Sequence, residues 1–457
     1  MGERVVVIGG DAAGMSAASQ AMRVAASTGK DLDIVVLERG HWTSYSACGI
    51  PYWVAGYVDG ADQLVARTPE EHRANGLDVR MRAEAVDVDL DTRTVEVRHA
   101  DTGETDRVGF DQLVVATGAS PVRPDLPGVD ATGVHGVQTL DDGAALIEWM
   151  EQEKPQRAVV VGGGYIGIEM AEAFVGRGLD VTVVDQAAEP MSTLDPDMGR
   201  LVRESMEGMG IRVVTGTPVE GFRTDADGHV TAVDTGTATY EADVVLLGLG
   251  VSPNTDVARS AGLPLGSFGG IRVDLRMAVP GHDGVWAAGD CVESFDRISQ
   301  TWAHTPLGTH ANKQGRVLGT NLGGGYATFP GVVRTAVSKV CELEIGRTGL
   351  REIDATRAGF EFVAETVEST TRAGYFPGAE PLSVKVIAEI GTGRLLGAQV
   401  VGREGSAKRV DALALALWNG MAVHELAMVD LSYAPPFAPV WDPVLIAARK
   451  AADRLRR

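Results

Sequence analysis

The chain has 457 residues, with 41 lysines and arginines against 62 aspartates and glutamates, a formal net charge of −21. This acidity argues against nucleic acid or an anionic membrane surface as a partner, because both need clustered basic residues. No apolar stretch reaches the ~18 residues of a membrane-spanning helix. Three cysteines are too few for a disulfide framework or a zinc cluster. We therefore expect a cytoplasmic enzyme of about two to four domains.

A strand, a glycine turn, a helix and a second strand open the chain. The apolar run 5–8 predicts a buried strand, residues 15–26 a helix, and residues 33–38 a strand that ends in Glu38. In a dinucleotide-binding unit, such a turn approaches a pyrophosphate and such an acid accepts ribose hydroxyls. The turn contains Gly9, Gly10, Ala13 and Gly14.

This first turn departs from the G-x-G-x-x-G pattern at one position. Asp11 stands where the middle glycine belongs, and its Cβ would approach the pyrophosphate. Glu38 nevertheless follows Gly14 by 24 residues, at a strand end, as a ribose acceptor should. Two hypotheses stay open: the unit binds FAD, the common companion of a nicotinamide cofactor, or it is a degenerate copy that binds nothing.

A second copy of the pattern begins near residue 157. Here the glycine pattern is complete, at Gly162, Gly164 and Gly167, and Asp185 ends the next predicted strand eighteen residues later. Asp185 would accept a ribose diol and repel a 2′-phosphate, and the residues that follow it supply no cation. We therefore predict NADH rather than NADPH as the cofactor of this unit.

The rest of the chain contains β-structure and a change of character near residue 330. Residues 79–115 alternate between apolar and polar side chains, and residues 244–248 and 284–287 are buried-strand patterns. Beyond 330 we expect an α+β domain without a nucleotide motif. Its predicted strands are 360–363, 382–387 and 395–401, and its predicted helices lie at about 405–420 and 422–428.

Cys48 is the candidate redox residue. It lies beyond the strand that carries Glu38, in a loop expected to follow any bound FAD, and no second cysteine stands at C-x-x-C spacing. Pro51 suits the first turn of a helix, whose N-terminus would stabilise a thiolate. The redox unit would then be one thiol, cycling through a mixed disulfide or a sulfenic acid. The alternative is a buried small apolar residue, our interpretation of Cys291 and Cys341.

These motifs resemble those of the FAD-dependent pyridine nucleotide–disulfide oxidoreductases over essentially the whole chain. The resemblance rests on both glycine turns and on residues 116–118, 248–254 and 288–290. It implies an α/β, glutathione reductase-like fold with two Rossmann-type nucleotide-binding domains and a C-terminal α+β dimerisation domain, in a homodimer. The implied domains are an FAD domain at 1–120 and 251–327, an NAD domain at 121–250, and a dimerisation domain at 328–457.

The resemblance also implies a set of cofactor-binding residues. Asp290 would bond the FAD ribityl chain, Thr117 would lie by the flavin nucleotide, Tyr165 would gate the nicotinamide pocket, and Glu169 would lie near the nicotinamide. The full set is Gly9, Gly10, Ala13, Gly14, Glu38, Arg39, Ser44, Ala116, Thr117, Gly118, Gly162, Gly164, Tyr165, Ile166, Gly167, Glu169, Asp185, Gly250 and Asp290.

Residues 44–52 and 431–437 are similar to the branch of this family whose members carry a single redox-active cysteine. Within that branch they most resemble coenzyme A-disulfide reductase. By this resemblance Tyr433 reaches the partner subunit's site and, with Tyr375, gives a proton to a leaving thiolate; packing at an interface is the alternative for both. Gln20, Arg23 and Ser44 match substrate contacts, with CoA as the candidate ligand.

Two positions leave the nature of the disulfide open. Gly76 and Trp441 replace two lysines that hold the CoA phosphates in relatives, so the disulfide could also be smaller or differently charged.

The function that we predict is reduction of a low-molecular-weight disulfide by NADH, through FAD and Cys48. One alternative is an NADH oxidase that passes electrons to oxygen or a quinone, although Ala12 stands where oxidases and peroxidases of this group carry a histidine. Another is a redox-sensing flavoprotein whose output is a partner interaction. The nine histidines show no metal-ligand spacing, and we predict no metal site.

Overall fold

The computed structural model describes residues 2–456. Its first segment runs to residue 121 and includes 3₁₀ turns at Ala47–Gly49 and Ala61–Leu64. The helices and strands of this segment are β1 (Glu3–Ile8), α1 (Ala12–Thr28), β2 (Leu32–Glu38), α2 (Ile50–Ala55), α3 (Pro69–Ala74), β3 (Asp78–Met81), β4 (Ala83–Asp89), β5 (Thr94–His99), β6 (Thr105–Gly109), β7 (Gln112–Val115) and β8 (Ala119–Pro121).

The second segment, to residue 253, repeats the order of elements of the first. It contains β9 (Val134–His135), α4 (Leu140–Glu153), β10 (Arg157–Val161), α5 (Tyr165–Gly176), β11 (Asp180–Val184), α6 (Pro196–Gly208), β12 (Arg212–Val214), β13 (Gly221–Thr224), β14 (Val230–Asp234), β15 (Thr239–Glu241), β16 (Val244–Leu247) and β17 (Val251–Pro253).

A return segment and a C-terminal segment complete the chain. The return segment contains α7 (Asp256–Ser260), β18 (Val285–Ala287), β19 (Ser294–Asp296), β20 (Thr301–Ala303) and α8 (Gly308–Leu322). The C-terminal segment contains β21 (Ala336–Val340), β22 (Leu343–Gly349), α9 (Glu352–Arg357), β23 (Phe362–Thr370), β24 (Pro381–Glu389), β25 (Leu395–Gly402), a 3₁₀ turn (Ala407–Arg409), α10 (Val410–Trp418), α11 (Val423–Leu426) and α12 (Pro443–Leu455).

Two parallel sheets of equal size form the centres of the two nucleotide units. Their strand orders are β3-β2-β1-β7-β18 and β12-β11-β10-β16-β9. The apolar runs of β1 and β10 are buried because each sheet is covered on one face by helices and on the other by a three-stranded antiparallel meander. The meander is β4–β6 in the first unit, ahead of β7, and β13–β15 in the second unit, ahead of β16. The predicted fold class and the internal repeat are confirmed.

Helix α8 lies tightly along α1. Gly315 and Gly319 face α1, and a Cβ at either position would lie 2.3 Å from a carbonyl oxygen of that helix. The two carbonyl oxygens belong to Ala13 and Ala17, and the Cβ atoms of Ser16 and Gln20 lie beside them. This close approach fixes the start of α1, and with it the first glycine turn.

The C-terminal domain is an antiparallel sheet of order β21-β22-β25-β24-β23, with α10 and α12 packed on it. Lys385 on β24 is buried and reaches into the second nucleotide unit, where its Nζ lies 2.7 Å from Asp197 Oδ1 and 3.3 Å from Asp195 Oδ2. Glu352 adds a third carboxylate at 2.5 Å. These three acids are therefore paired with an ammonium group that joins the two domains.

Several helix boundaries differ from the sequence prediction. Helix α1 begins at residue 12 rather than 15, and α5 at 165 rather than 169, because each starts directly at its glycine turn. The predicted helices near 405–420 and 422–428 are shorter, at 410–418 and 423–426. Helices α8 and α12 had no counterpart in the sequence analysis. Within residues 2–456, no helix combines the length and apolarity needed to cross a membrane.

Candidate active site

The first glycine turn lies between the carboxyl end of β1 and α1. Gly9 has a φ of +105°, and a Cβ there would lie 2.1 Å from the Ala116 carbonyl oxygen. A Cβ on Gly14 would lie 1.9 Å from the Gly9 carbonyl oxygen. Both positions therefore require glycine. Glu38, at the end of β2, accepts the Gly10 N–H at 2.8 Å, so the predicted ribose acceptor lies beside the turn.

Asp11 fits the middle position of this turn. Its φ of −117° and ψ of −150° are ordinary for a non-glycine residue, and its Oδ1 accepts the Tyr45 N–H at 3.1 Å. Burial raises the pKa of Asp11 to about 6, and the negative charges of Glu38 and Asp290 act in the same direction. The aspartate thus ties the turn to the loop that carries Cys48.

The second glycine turn has the same construction. Gly162 has a φ of +98°, and a Cβ there would lie 2.5 Å from the Gly248 carbonyl oxygen. A Cβ on Gly167 would lie 1.9 Å from the Gly162 carbonyl oxygen. Asp185 accepts the Gly163 N–H at 2.7 Å, as Glu38 does in the first unit. The two units are therefore equivalent in backbone geometry and in the placement of their acids.

Gly164, the middle glycine of the second turn, is not required by the protein's own backbone. Its φ is −77°, and a Cβ there would meet only the Gly248 carbonyl oxygen, at 3.9 Å. The space beside it lies at the N-terminus of α5, where free N–H groups and the helix dipole favour a phosphate. This space fits a dinucleotide pyrophosphate, which would approach the backbone as closely as only glycine allows.

Asp290 follows β18 at the same edge of the sheet as the first turn. Gly289, with a φ of +90°, packs so closely on α1 that a Cβ would lie 2.8 Å from the Ala13 Cβ, and its N–H donates to Gln314 Oε1 at 2.8 Å. The Asp290 carbonyl oxygen lies 2.7 Å from His304 Nε2. Burial raises the pKa of the Asp290 carboxyl to about 6. A half-buried acceptor is thus available to the hydroxyls of a ribityl chain.

The small-residue turn at 116–118 is joined to the crossover that returns from the second unit. Thr117 Oγ1 donates to the Asn254 carbonyl oxygen at 2.6 Å, and Asn254 Nδ2 donates back to the Thr117 carbonyl oxygen at 2.9 Å. Gly250, with a φ of +83°, accepts the Val122 N–H at 2.9 Å. These bonds connect the two chain crossings, β8 and β17, which pair as a two-stranded sheet.

The remaining predicted cofactor residues flank the two turns. Arg39 is exposed directly after β2, and its carbonyl oxygen accepts Arg82 Nη1 at 3.5 Å. Ile166 lies half-buried in the first turn of α5. Arg39 directly follows Glu38, which bonds to the first turn, and Ile166 lies within the sequence of the second turn. Their positions in the chain therefore place both residues near the turns.

Cys48 lies in the 3₁₀ turn directly before α2, with its side chain exposed. Its neighbour Gly49 is pressed against the second 3₁₀ turn, since a Cβ there would lie 2.3 Å from Leu64 Cδ2. Pro51 occupies the start of α2, as predicted. The buried side chains of Ile50 and Val54 belong to the core of the second unit, so α2 is the joint between the two nucleotide units.

The electrostatics around Cys48 oppose its ionisation in the protein alone. Although the side chain is exposed, the surrounding protein shields the thiol partly from water and so raises its pKa, and the carboxylates of Glu169 and Asp290 raise it further. This direction is opposite to the one expected from the N-terminus of α2, a helix of only six residues. The stabilised thiolate stays a prediction for the enzyme with its cofactors bound. Asp290 belongs to the first unit and Glu169 to the second, so Cys48 lies where the two units meet.

Glu169 and Tyr165 lie on the second-unit side of this junction. Glu169 Oε1 accepts the Ser338 hydroxyl at 2.8 Å, and burial raises the pKa of its carboxyl. The buried Tyr165 hydroxyl has no hydrogen-bond partner among residues 2–456. Tyr52 also belongs to this group: burial raises the pKa of its phenol, and the charges of Glu169 and Cys48 contribute.

Tyr375 and Tyr433 lie together on the exposed surface of the C-terminal domain. The neighbouring Tyr375 side chain raises the pKa of Tyr433, and the Ala373 N–H donates to the Pro435 carbonyl oxygen at 3.1 Å, joining the two loops. Their surroundings include the exposed side chain of Phe437. Within one chain the tyrosines contact one another, and their role in a partner's site stays a prediction.

The three predicted substrate residues lie beside the first turn and α1. Gln20 is buried, its Nε2 donates to Thr320 Oγ1 at 3.1 Å, and its Oε1 accepts from the exposed Arg23 at 2.8 Å. Ser44 has a φ of +51° and lies 2.9 Å from His72 Nε2, measured from its Oγ. Gln20 and Arg23 thus form one hydrogen-bonded pair, and Ser44 forms a separate pair with His72.

The sequence analysis missed four residues that shape the site. Gln314 has no local motif, and His72 lies in a short helix whose sequence gives no sign of its partner. Tyr52 ends residues 44–52, which the resemblance used without giving this tyrosine a role. Asn254 ends a motif that the resemblance used, so its position, though not its pairing with Thr117, could have been found.

Comparisons with known proteins agree with this architecture. Residues 3–315 match the family model "Pyridine nucleotide-disulphide oxidoreductase", and residues 335–443 match the dimerisation domain of that family. The chain is 36% identical over 456 residues to an NADH oxidase of Methanocaldococcus jannaschii, covering 99% of each chain. It is 36% identical over 454 residues to the NAD(P)H coenzyme A polysulfide/persulfide reductase of Pyrococcus horikoshii, covering 98% of each.

A solved structure shows the same fold. Reduced CoADR-RHD from Bacillus anthracis superposes with a TM-score of 0.94 at 31% identity, over 100% of this chain and 81% of that one. The residues around both glycine turns fit the two cofactors of such enzymes, FAD and NAD(P)H. The chain belongs to the pyridine nucleotide-disulphide oxidoreductase family, and it is an NAD(P)H-dependent flavoprotein oxidoreductase.

Proposed function

We propose that this enzyme uses NADH to reduce a low-molecular-weight disulfide, with the disulfide of coenzyme A as the first candidate, through Cys48 beside bound FAD. The observation that carries the proposal is the position of Cys48. Of the three cysteines, which all lie among the described residues, Cys48 is exposed, and Cys291 and Cys341 are buried. Cys48 also lies where the two nucleotide units meet. The names of the relatives support a sulfur substrate.

Each cofactor has a set of residues suited to hold it. The first turn, Glu38 and Asp290 would hold FAD, and the second turn and Asp185 would hold NADH. FAD, when bound, takes up the hydride of NADH and makes its electron pair available to sulfur. Tyr165 and Glu169 lie on the side from which the nicotinamide would approach, and the partnerless hydroxyl of Tyr165 is consistent with a group that moves when the cofactor binds.

Cys48 performs the sulfur chemistry in two steps. Its thiolate attacks one sulfur of the disulfide, the S–S bond breaks, and the first thiol leaves with a proton. The electron pair from NADH then cleaves the mixed disulfide on Cys48, releases the second thiol with another proton and restores Cys48. One disulfide, one NADH and one proton thus give two thiols and one NAD⁺. Tyr433 of the partner subunit, supported by Tyr375, would supply the proton to the first leaving thiolate.

The proposal includes a homodimer in the cytoplasm. The exposed aromatic side chains of Tyr433, Phe437 and Trp441 lie in the C-terminal domain that matches the dimerisation model, and apolar surface of this kind is buried at stable interfaces. Three free thiols suit a reducing compartment. The domain limits proposed are 1–120 with 251–327 for FAD, 121–250 for NAD and 328–457 for dimerisation.

We predict that Asp185 makes the enzyme prefer NADH. Its carboxylate lies beside the second turn, where it would repel a 2′-phosphate, so kcat/KM should favour NADH over NADPH by at least about tenfold. Asp185→Ala should reduce this ratio, whereas Asp180→Ala, an exposed acid at the other end of β11, should leave it unchanged. Equal turnover of both cofactors by the wild type would contradict the assignment.

A second candidate function is NADH oxidation by oxygen, favoured by the name of the Methanocaldococcus jannaschii relative. Turnover should be compared for CoA disulfide, a smaller disulfide, a quinone and oxygen, with NADH consumed and thiol formed both counted. We expect two thiols per NADH with a disulfide acceptor under anaerobic conditions. High turnover with oxygen alone would support the oxidase. Slow turnover with every acceptor, with a change of oligomer on reduction, would support a redox sensor.

A further inference from the structure

The loop that leads to Cys48 is held in an unusual backbone conformation. Ser44, four residues before Cys48, has a φ of +51°, in the left-handed region that non-glycine residues rarely adopt. Such a conformation persists only where surrounding contacts enforce it. The contacts of residues 43–46, which we call the cysteine-entry loop, should therefore explain how it is held.

Backbone contacts fix this loop on two sides. On the side of the first glycine turn, the buried Thr43 hydroxyl donates to the Gly10 carbonyl oxygen, and the Tyr45 N–H donates to Asp11. On the other side, the Ser44 carbonyl oxygen accepts the Ala66 N–H at 2.7 Å, and the Ser46 N–H donates to Leu64 at 2.8 Å. These bonds fix the ends of the loop and leave the Ser44 side chain to be placed.

His72 is the partner of that side chain. Its side chain is 98% buried, since its residue exposure is 2%, and its Nε2 lies 2.9 Å from Ser44 Oγ. Burial and the nearby charge of Arg67 lower the pKa of the ring, against a smaller effect of Glu71, so the imidazole is neutral at pH 7. A neutral ring offers one donor and one acceptor nitrogen, and either suits a hydroxyl.

The helix that carries His72 is itself anchored. Helix α3 begins with a capping box in which Thr68 and Glu71 bond each other's backbone N–H groups. Arg73, next to His72, donates from Nε and Nη2 to the Val79 carbonyl oxygen on β3, at 3.0 and 2.8 Å. The imidazole is therefore attached to a rigid element of the first central sheet.

We propose that His72 is a positioning residue of the active site: through its hydrogen bond to Ser44 it holds the cysteine-entry loop in the left-handed conformation that presents Cys48 and the Ser44 hydroxyl to the disulfide. The inference rests on the proposed function where the substrate is concerned. The position of the loop does not depend on that function, so the two can be tested separately.

The first test measures the loop itself. In the FAD-loaded full-length enzyme, His72→Phe keeps a ring of similar size but removes the hydrogen bond, and His72→Gln keeps a polar atom near the Nε2 position. We expect amide hydrogen exchange at Tyr45 and Ser46 to accelerate about tenfold in His72→Phe and to return towards the wild-type rate in His72→Gln. Exchange in β1 serves as the internal reference. Unchanged exchange in a folded His72→Phe variant would overturn the proposal.

The second test asks whether His72 acts through Ser44. We expect His72→Phe and Ser44→Ala each to lower kcat/KM for the disulfide by about tenfold, and the double variant to be no worse than Ser44→Ala alone. The rate of FAD reduction by NADH should stay at the wild-type value in His72→Phe and His72→Gln. Additive losses in the double variant, or equal losses in His72→Phe and His72→Gln, would show a packing role and contradict the inference.

If His72→Phe loses FAD or unfolds, both tests are made with His72→Gln and Ser44→Ala instead. Wild-type amide exchange and wild-type kcat/KM in both of these variants would overturn the proposal. If the wild type reduces no disulfide at all, the proposed function fails while the exchange measurement still decides the role of His72.

Discussion

Replacing Cys48 with serine is expected to lower NADH-dependent disulfide reduction to less than about 1% of the wild-type rate. Serine cannot form the mixed disulfide, so the electron pair has no route from the cofactor to the substrate sulfur. FAD binding and FAD reduction by NADH should survive, because the residues that would hold both cofactors lie on other elements. The rates are measured by thiol release and by flavin absorbance under anaerobic conditions.

Cys341→Ser is the matched control for this change. Cys341 is a second free cysteine, buried at the turn between β21 and β22, and has no part in the proposed sulfur chemistry. We expect it to retain disulfide reduction. If Cys48→Ser reduces disulfides at the wild-type rate, the lone-thiol mechanism is wrong; if it also oxidises NADH with oxygen unchanged, the enzyme is an oxidase in which this thiol has no necessary role.

Replacing Gly167 with alanine is expected to destabilise the second nucleotide unit by about 3 kcal/mol and to remove NADH-dependent flavin reduction. The added Cβ would lie 1.9 Å from the Gly162 carbonyl oxygen, a backbone atom that cannot move without opening the glycine turn. The measurements are the thermal unfolding midpoint and the rate of flavin reduction at several NADH concentrations.

Substitutions at two other glycines, one at the end of α5 and one directly before it, distinguish a loss of stability from a loss of NADH binding. Gly176→Ala meets no atom within 4 Å, so stability should stay within about 1 kcal/mol of the wild type. Gly164→Ala meets only a carbonyl oxygen at 3.9 Å; we expect a folded protein with a raised KM for NADH, because its Cβ would enter the space assigned to the pyrophosphate. A Gly167→Ala variant with normal stability and NADH kinetics would contradict this account of the turn.

The nucleotide units could be predicted from the sequence because their determinants are local. Gly162, Gly167 and Asp185 lie within one strand–helix–strand unit, and the geometry of that unit fixes what each residue does. The same reasoning placed Glu38 correctly beside the first turn. It gave no role to Asp11, whose side chain accepts the Tyr45 N–H, because only the folded loop brings Tyr45 close.

The features that could not be predicted depend on contacts between segments that lie far apart in the sequence. Helix α8 is rich in glycine and polar residues, a composition with weak helical signal, and it is fixed by packing on α1. The pKa of Cys48 is raised because the folded chain shields the thiol from water, and the charges of Glu169 and Asp290, which lie more than a hundred residues away in sequence, raise it further. His72 and Ser44 meet across 28 residues, and nothing in the sequence pairs them.

The most direct test of the account is mass spectrometry of Cys48 during the reaction. The FAD-loaded enzyme is mixed with CoA disulfide without NADH, quenched in acid and digested without reductant. We expect one CoA adduct on the peptide that contains Cys48, none on the Cys291 or Cys341 peptides, and loss of the adduct when NADH is added before the quench. An unmodified Cys48 peptide in an enzyme that turns over CoA disulfide with NADH would contradict the central claim.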